Sequence, residues 1–155
     1  MKHTSLFRVV FLSLLFLLAI TALNAQAAML SIKGDNINLR SGPGAKYKVL
    51  WELGQGFPLE VLKRKGGWYR VRDFEGAVGW VSRDGVDKTP HMIVKGNKNA
   101  KPIDLYSDPA ANARVVAKAN YGVVLKTLEQ KKGWVKVQHD QGVTGWVKKS
   151  YLWGW

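Results

Sequence analysis

The sequence predicts an all-β protein made of two tandem small β-barrels. Three observations carry this prediction. The chain repeats itself at an offset of 66 residues. No segment shows a 3.6-residue apolar period long enough for a core helix. Short alternating runs are separated by turns rich in glycine and proline, the pattern of a small barrel.

The repeat is read without gaps. Ile37 falls on Ile103, Leu39 on Leu105, Ser41 on Ser107 and Pro43 on Pro109. Gly56 meets Gly122, and Leu59 and Leu62 meet Leu125 and Leu128. The strongest block follows, with Gly67-Trp68 on Gly133-Trp134, Val71 on Val137, Gly76 on Gly142 and Gly79-Trp80-Val81 on Gly145-Trp146-Val147. Two tryptophans and four glycines returning in one register imply two copies of one fold.

Within the unit the elements follow in order. Met29 to Ile32 opens the first copy as a strand, as Met92-Ile93-Val94 opens the second. Ile37 to Arg40 is a strand ended by Ser41-Gly42-Pro43-Gly44, a turn on glycine and proline grounds. Val49 to Leu53 and Phe57 to Leu62 are strands flanking Gly54-Gln55-Gly56. Lys63 to Gly67 reads as an exposed hairpin tip, Trp68 to Arg72 alternates, and Ala77 to Ser82 closes the unit. Leu39, Val49, Leu59, Val61, Val71 and Val81 are the expected core of the first copy. Leu105, Val115, Leu125, Val137 and Val147 are their counterparts. The junction from about Asp84 to Lys101 holds charges and Pro90 but no Ser/Gly-rich tether, so the barrels are expected to touch.

The segments "NLRSGPG" (Asn38 to Gly44) and "GGWYRVRDFEGAVGWV" (Gly66 to Val81) resemble the bacterial SH3 domain family. Its marks are an NLRSGPG-like start, a central G-x-W-x-x-V and a terminal G-x-x-G-W-V. The second copy keeps "GWVKV" and "GVTGWV" but replaces Asn38, Arg40, Gly42 and Gly44 with Asp104, Tyr106, Asp108 and Ala110. Either a ligand site has changed there or another turn has been found. The resemblance implies two tandem SH3-like barrels, at residues 28–86 and 91–155. It also implies an extracytoplasmic module that binds cell-wall or envelope polymers, or proteins attached to them.

The chain begins with Lys2 and Arg8, an apolar run from Val9 to Ile20 broken only by Ser13, and Ala25-Gln26-Ala27 before Ala28. This reads as a signal peptide over residues 1–27. An uncleaved anchor is the alternative, but the run is shorter than the ~20 residues a spanning helix needs. The mature chain is therefore expected to be periplasmic or secreted, with no stable membrane span. The chain has no cysteine, which excludes disulfides, thiolate chemistry and lipid attachment to cysteine. Residues 28–155 carry 22 basic and 11 acidic side chains, a charge of +11, of which residues 89–155 hold +7. That excess favours an anionic partner without choosing one.

Catalysis is not expected. The mature histidines, His91 and His139, have no motif joining them to a serine and an aspartate, and no metal-ligand spacing or phosphate loop is present. No cofactor or metal is expected. Binding is expected instead at aromatic and basic side chains. Alternation along Trp68 to Arg72 sets Trp68, Arg70 and Arg72 on the face opposite Val71, with Trp134 and Lys136 placed likewise in the second copy. An outward Trp68 either stacks on a sugar or base or caps its own barrel. Trp80 and Trp146, each between glycine and valine, are expected in the core or at the rim. Tyr47 and Trp51 lack aromatic counterparts, since Ala113 and Ala117 stand at the matching positions. Trp153 and Trp155 either dock between the barrels or stay exposed for a partner. Candidate ligand-binding residues are thus Arg40, Tyr47, Trp51, Trp68, Arg70, Trp134, Lys136 and Trp153. The expected function is non-catalytic recognition of peptidoglycan or another anionic envelope polymer, with scaffolding of an envelope protein complex as the alternative. Nucleic acid is not expected as a partner of an exported protein.

Overall fold

The structure is a computed structural model that describes residues 27–96 and 101–155. The expected signal peptide therefore lies outside the described residues except for Ala27.

The first sheet comprises β1 (Met29–Ile32), β2 (Ile37–Arg40), β3 (Val49–Leu53), β4 (Pro58–Lys65), β5 (Trp68–Arg72), β6 (Val78–Ser82) and β7 (Val86–Asp87). The second comprises β8 (His91–Val94), β9 (Ile103–Tyr106), β10 (Val115–Ala119), β11 (Val124–Lys131), β12 (Trp134–Gln138), β13 (Thr144–Lys148) and β14 (Leu152–Gly154). The strand orders are β3-β2-β6-β5-β4-β1-β7 and β10-β9-β13-β12-β11-β8-β14, the same arrangement in each copy. Neighbouring strands run antiparallel. The helical content of the described residues is two single 3-10 turns, Arg83–Gly85 and Lys149–Tyr151. The all-β, two-copy architecture read from the sequence is the one observed.

Each sheet wraps its own core. Leu39, Leu59, Val71 and Val81 lie within the first, with Leu30, Ile32, Leu53 and Val86. Leu105, Leu125, Val137 and Val147 lie within the second, with Met92, Val94, Val135 and Leu152. Fully burying one such aliphatic side chain contributes about 1.5–3 kcal/mol. The motif glycines Gly79 and Gly145 are required by close approach. A Cβ on Gly79 would lie 2.6 Å from Leu39 Cγ, and one on Gly145 would lie 2.8 Å from Leu105 Cβ.

Val49 and Val115 depart from the expected core, being 42% exposed in both copies. The cause is a β-bulge. Leu39 pairs with Trp51 but Arg40 pairs with Val49, so Leu50 is an extra residue and Val49 turns to the outer face with Arg40. The same slip places Val115 opposite Tyr106. Val61 is half-buried at the core margin. β4 also runs to Lys65, so the hairpin tip is Gly66-Gly67 alone and not the five residues the charge run suggested.

The barrels touch. Phe74 meets Tyr121 with ring centroids 5.4 Å apart, and Tyr121 Oη donates to Glu75 Oε1 at 2.8 Å. The His91 ring lies against Gly56. Trp155 packs on the second core and its indole Nε1 donates to Ser31 Oγ in the first barrel at 3.3 Å. Ser31 is fully buried, so this donation satisfies a hydroxyl that water does not reach.

Candidate functional site

Strand register builds an aromatic and basic outer face on the first barrel. Val71 and Val81 are wholly buried, so their neighbours along β5 and β6 point outward. Trp68 stands opposite Lys65 and Ser82. In the next outward row Lys63, Arg70, Trp80 and Arg40 follow one another across four strands. The facing assigned to Trp68, Arg70 and Trp134 from alternation therefore holds, because the bulges fall in β4 and β11 and leave β5 and β12 regular. Of the two places expected for Trp80, core or rim, the core is not the one observed. Trp80 faces outward between two arginines and is half-buried, whereas its counterpart Trp146 is only 7% exposed.

A groove of about 350 Å³ opens on this face, with Asn38, Arg40, Ala45, Trp68, Ser82 and Asp84 among its walls. Three stretches far apart in the chain meet there: β2, the start of β5, and the 3-10 turn after β6. The groove offers a flat indole, an amide, a hydroxyl, a carboxylate and a guanidinium. It can stack on a ring or peptide plane while exchanging hydrogen bonds with amide and carboxylate groups.

Arg40 also shapes its own loop. Its Nη1 donates to Ala45 O and Tyr47 O, both at 2.9 Å. Behind that loop Tyr47 folds against Gly42, with Lys46 Nζ 5.6 Å from its ring centroid. The altered turn of the second copy keeps the same backbone pattern. Ser41 N, Gly44 N and Tyr47 N donate to Lys48 O, Gly42 O and Gly44 O; Ser107 N, Ala110 N and Ala113 N donate to Arg114 O, Asp108 O and Ala110 O. Ser107 Oγ adds a 2.8 Å bond to Asp108 Oδ2. The turn therefore survives without the motif glycines.

The other candidates are dispersed. Trp134 packs edge-to-face on Tyr106 at 5.6 Å and carries Lys148 Nζ 5.8 Å from its ring. Lys136 stands in the row of Glu129 and Trp146. Trp51 is 62% exposed on the edge strand β3. Trp153 pairs with Ile93 on β14, at the far end of its sheet from β9 and β13. Only Arg40 and Trp68 share the groove, with Arg70 one row away. Asn38, Ser82, Asp84 and Trp80 are not among the ligand-binding candidates that the sequence offers. The outward facing of Trp80 was available from the alternation that buries Val81; the approach of Asp84 to Trp68 had no linear signal.

His91 and His139 line an interbarrel cleft with Asp35, Asp140, Lys126 and two glutamines, and no serine or threonine is among its walls. Among the described residues no group of three or more His, Cys, Asp or Glu is placed to hold a metal. No helix of the described residues is long and apolar enough to cross a membrane.

A family model described as the bacterial SH3 domain matches residues 33–88 and again residues 99–154. A putative N-acetylmuramoyl-L-alanine amidase of Bacillus subtilis is 26% identical over 153 residues, covering 93% of this chain and 29% of its own length. A probable cell wall amidase of Staphylococcus epidermidis is 37% identical over 49 residues, covering 31% of this chain and 17% of its own. The chain thus spans less than a third of the length of these curated relatives. Similar solved structures include an NlpC/P60 family protein from Bacillus cereus, at 16% identity, a TM-score of 0.39, and coverage of 81% of this chain and 56% of that one. NlpC2 from Trichomonas vaginalis gives 12% identity, a TM-score of 0.38, and coverage of 82% and 48%. With both halves matched by one family model and carrying the same strand order, the chain belongs to the bacterial SH3 domain family, in two tandem copies.

Proposed function

We propose that this protein is a non-catalytic exported module that binds peptidoglycan or another anionic cell-envelope polymer through the first barrel. The observation that carries the reading is the groove in which Trp68, Arg40, Asn38 and Asp84 converge. Peptidoglycan offers what such a groove accepts: sugar faces for the indole, peptide amides for Asn38, and carboxylates for the guanidinium. The surrounding Lys63, Lys65 and Arg70 raise the local concentration of a polyanion. A relative named as a probable cell wall amidase supports the same target, and the matched region is a minor part of it.

The test is cosedimentation of the protein with purified sacculi over a salt series. Retention that weakens with salt yet persists at physiological ionic strength, and that falls in Trp68→Ala, is the expected result. Loss of all binding by physiological salt would mean that charge alone held the protein there, and would overturn the reading.

A second reading, docking of an envelope protein, is favoured by the apolar edge of the first barrel. Tyr47, Val49, Leu50 and Trp51 are all exposed on or beside β3. Binding to one envelope protein but not to sacculi would select it.

A further inference from the structure

The second barrel carries a groove of about 470 Å³ at the equivalent place, and its chemistry differs. Across the 66-residue offset, Asn38 becomes Asp104, Arg40 becomes Tyr106, Ser82 becomes Lys148 and Gly85 becomes Tyr151. These four line the second groove together with Lys101. The first groove balances Arg40 against Asp84. The second has Ser150 where Asp84 would fall, and so loses that acid. Its one lining carboxylate, Asp104, is already held by Lys118 of β10. Lys101 and Lys148 thus leave the groove net positive.

Two aromatic rings accompany those cations. Tyr106 is fixed by its edge-to-face contact with Trp134, and the Lys148 ammonium is drawn over the same indole. The cation and the ring are therefore positioned before any ligand arrives, which lowers the entropy lost on binding. Tyr151 is 44% exposed at the groove wall, and its 3-10 turn carries it there.

We propose that this groove is a separate site for a sugar bearing an anionic group, with the ring against Tyr106 and Tyr151 and the anion between Lys101 and Lys148. The inference stands on residues outside the first groove and does not depend on what the first groove binds. Phosphate and carboxylate share the required chemistry, and the test separates them.

The experiment titrates the protein with glucose 6-phosphate, glucuronate, glucose and inorganic phosphate, following backbone amides by two-dimensional NMR. Saturable shifts at Lys101, Tyr106, Lys148 and Tyr151, whatever happens at Asn38 and Trp68, are expected from glucose 6-phosphate or glucuronate. The tighter of the two identifies the anion. Lys148→Ser, which installs the residue of the first barrel, and Lys101→Gln are each expected to weaken binding about two- to fivefold. Both changes lie on the surface, and an unchanged spectrum away from the groove verifies folding. Equal shifts from glucose would overturn the proposal, as would inorganic phosphate binding as tightly as the sugar phosphate. Shifts scattered over lysines throughout the surface, or variants that bind like the parent, would overturn it too.

Discussion

The ring of Tyr47 occupies the space where a side chain on Gly42 would begin: a Cβ built at residue 42 would stand 2.4 Å from the ring Cδ1. In the second copy Asp108 replaces this glycine and Ala113 replaces the tyrosine. The two exchanges match one another. Removing the ring frees the space that the aspartate then fills, and the turn keeps its hydrogen bonds. The first glycine of the NLRSGPG segment is thus a partner of a tyrosine five residues on.

Gly42→Ala is accordingly expected to destabilise the first barrel by about 1–3 kcal/mol through overpacking. In a Tyr47→Ala background the same change is expected to cost much less. Urea denaturation of the four members of this cycle measures the coupling. Equal costs in both backgrounds would show that the ring moves aside freely.

Arg40→Ala removes both donations to the loop carbonyls of Ala45 and Tyr47. The pair is exposed, so the expected loss is about 1 kcal/mol or less. Faster hydrogen exchange at the Tyr47 amide, which donates to Gly44 O, is the local signature. Unchanged exchange there would mean that the turn holds itself without the guanidinium.

Trp68 and Trp134 occupy equivalent positions but have different neighbours. Trp134 has Tyr106 and Lys148 on its ring, and no such ring contact is seen for Trp68 among the described residues. Trp134→Ala is expected to lower stability by about 1–2 kcal/mol. Trp68→Ala is expected to leave the melting temperature nearly unchanged while weakening sacculus binding about tenfold or more. A large melting shift in Trp68→Ala would assign that indole to packing instead.

Trp155→Ala removes the donor to the buried Ser31 hydroxyl and an aromatic face packed on the second core. The expected outcome is a less stable second barrel and a calorimetric trace that splits into two transitions. Trp155→Phe, which keeps the packing but not the donor, is expected to cost about 1–2 kcal/mol of interface stability. A single unshifted transition in Trp155→Ala would show that the remaining contacts, at Phe74, Glu75, Tyr121 and His91, suffice to couple the barrels.

The two-copy plan is legible because the offset preserves both kinds of constraint at once, the close-packed glycines Gly79 and Gly145 and the buried valines beside them. The facing of β5 and β12 is legible for the same reason, since no bulge interrupts their alternation. Val49 and Val115 are misread because a bulge leaves no composition mark: Leu50 and Val116 look like any strand residue. Half of the groove is legible, through Arg40 and Trp68. The rest depends on the 3-10 turn that brings Asp84 beside Trp68, a long-range closure no local pattern announces. Trp80 lies outside the core although its glycine and valine neighbours suggest burial, because alternation with Val81 sends it outward.

The contact from Trp155 to Ser31, with Phe74 against Tyr121, makes the two barrels one carrier for two dissimilar grooves. Independent modules on a slack tether would each meet a polymer at its own pace. On the two proposed binding roles, capture of a polymer by one groove would hold its repeating units near the other at an effective concentration that free diffusion does not supply. Avidity would then depend on whether the spacing of the polymer's repeats matches the spacing of the grooves, and the joint between the barrels would set that spacing.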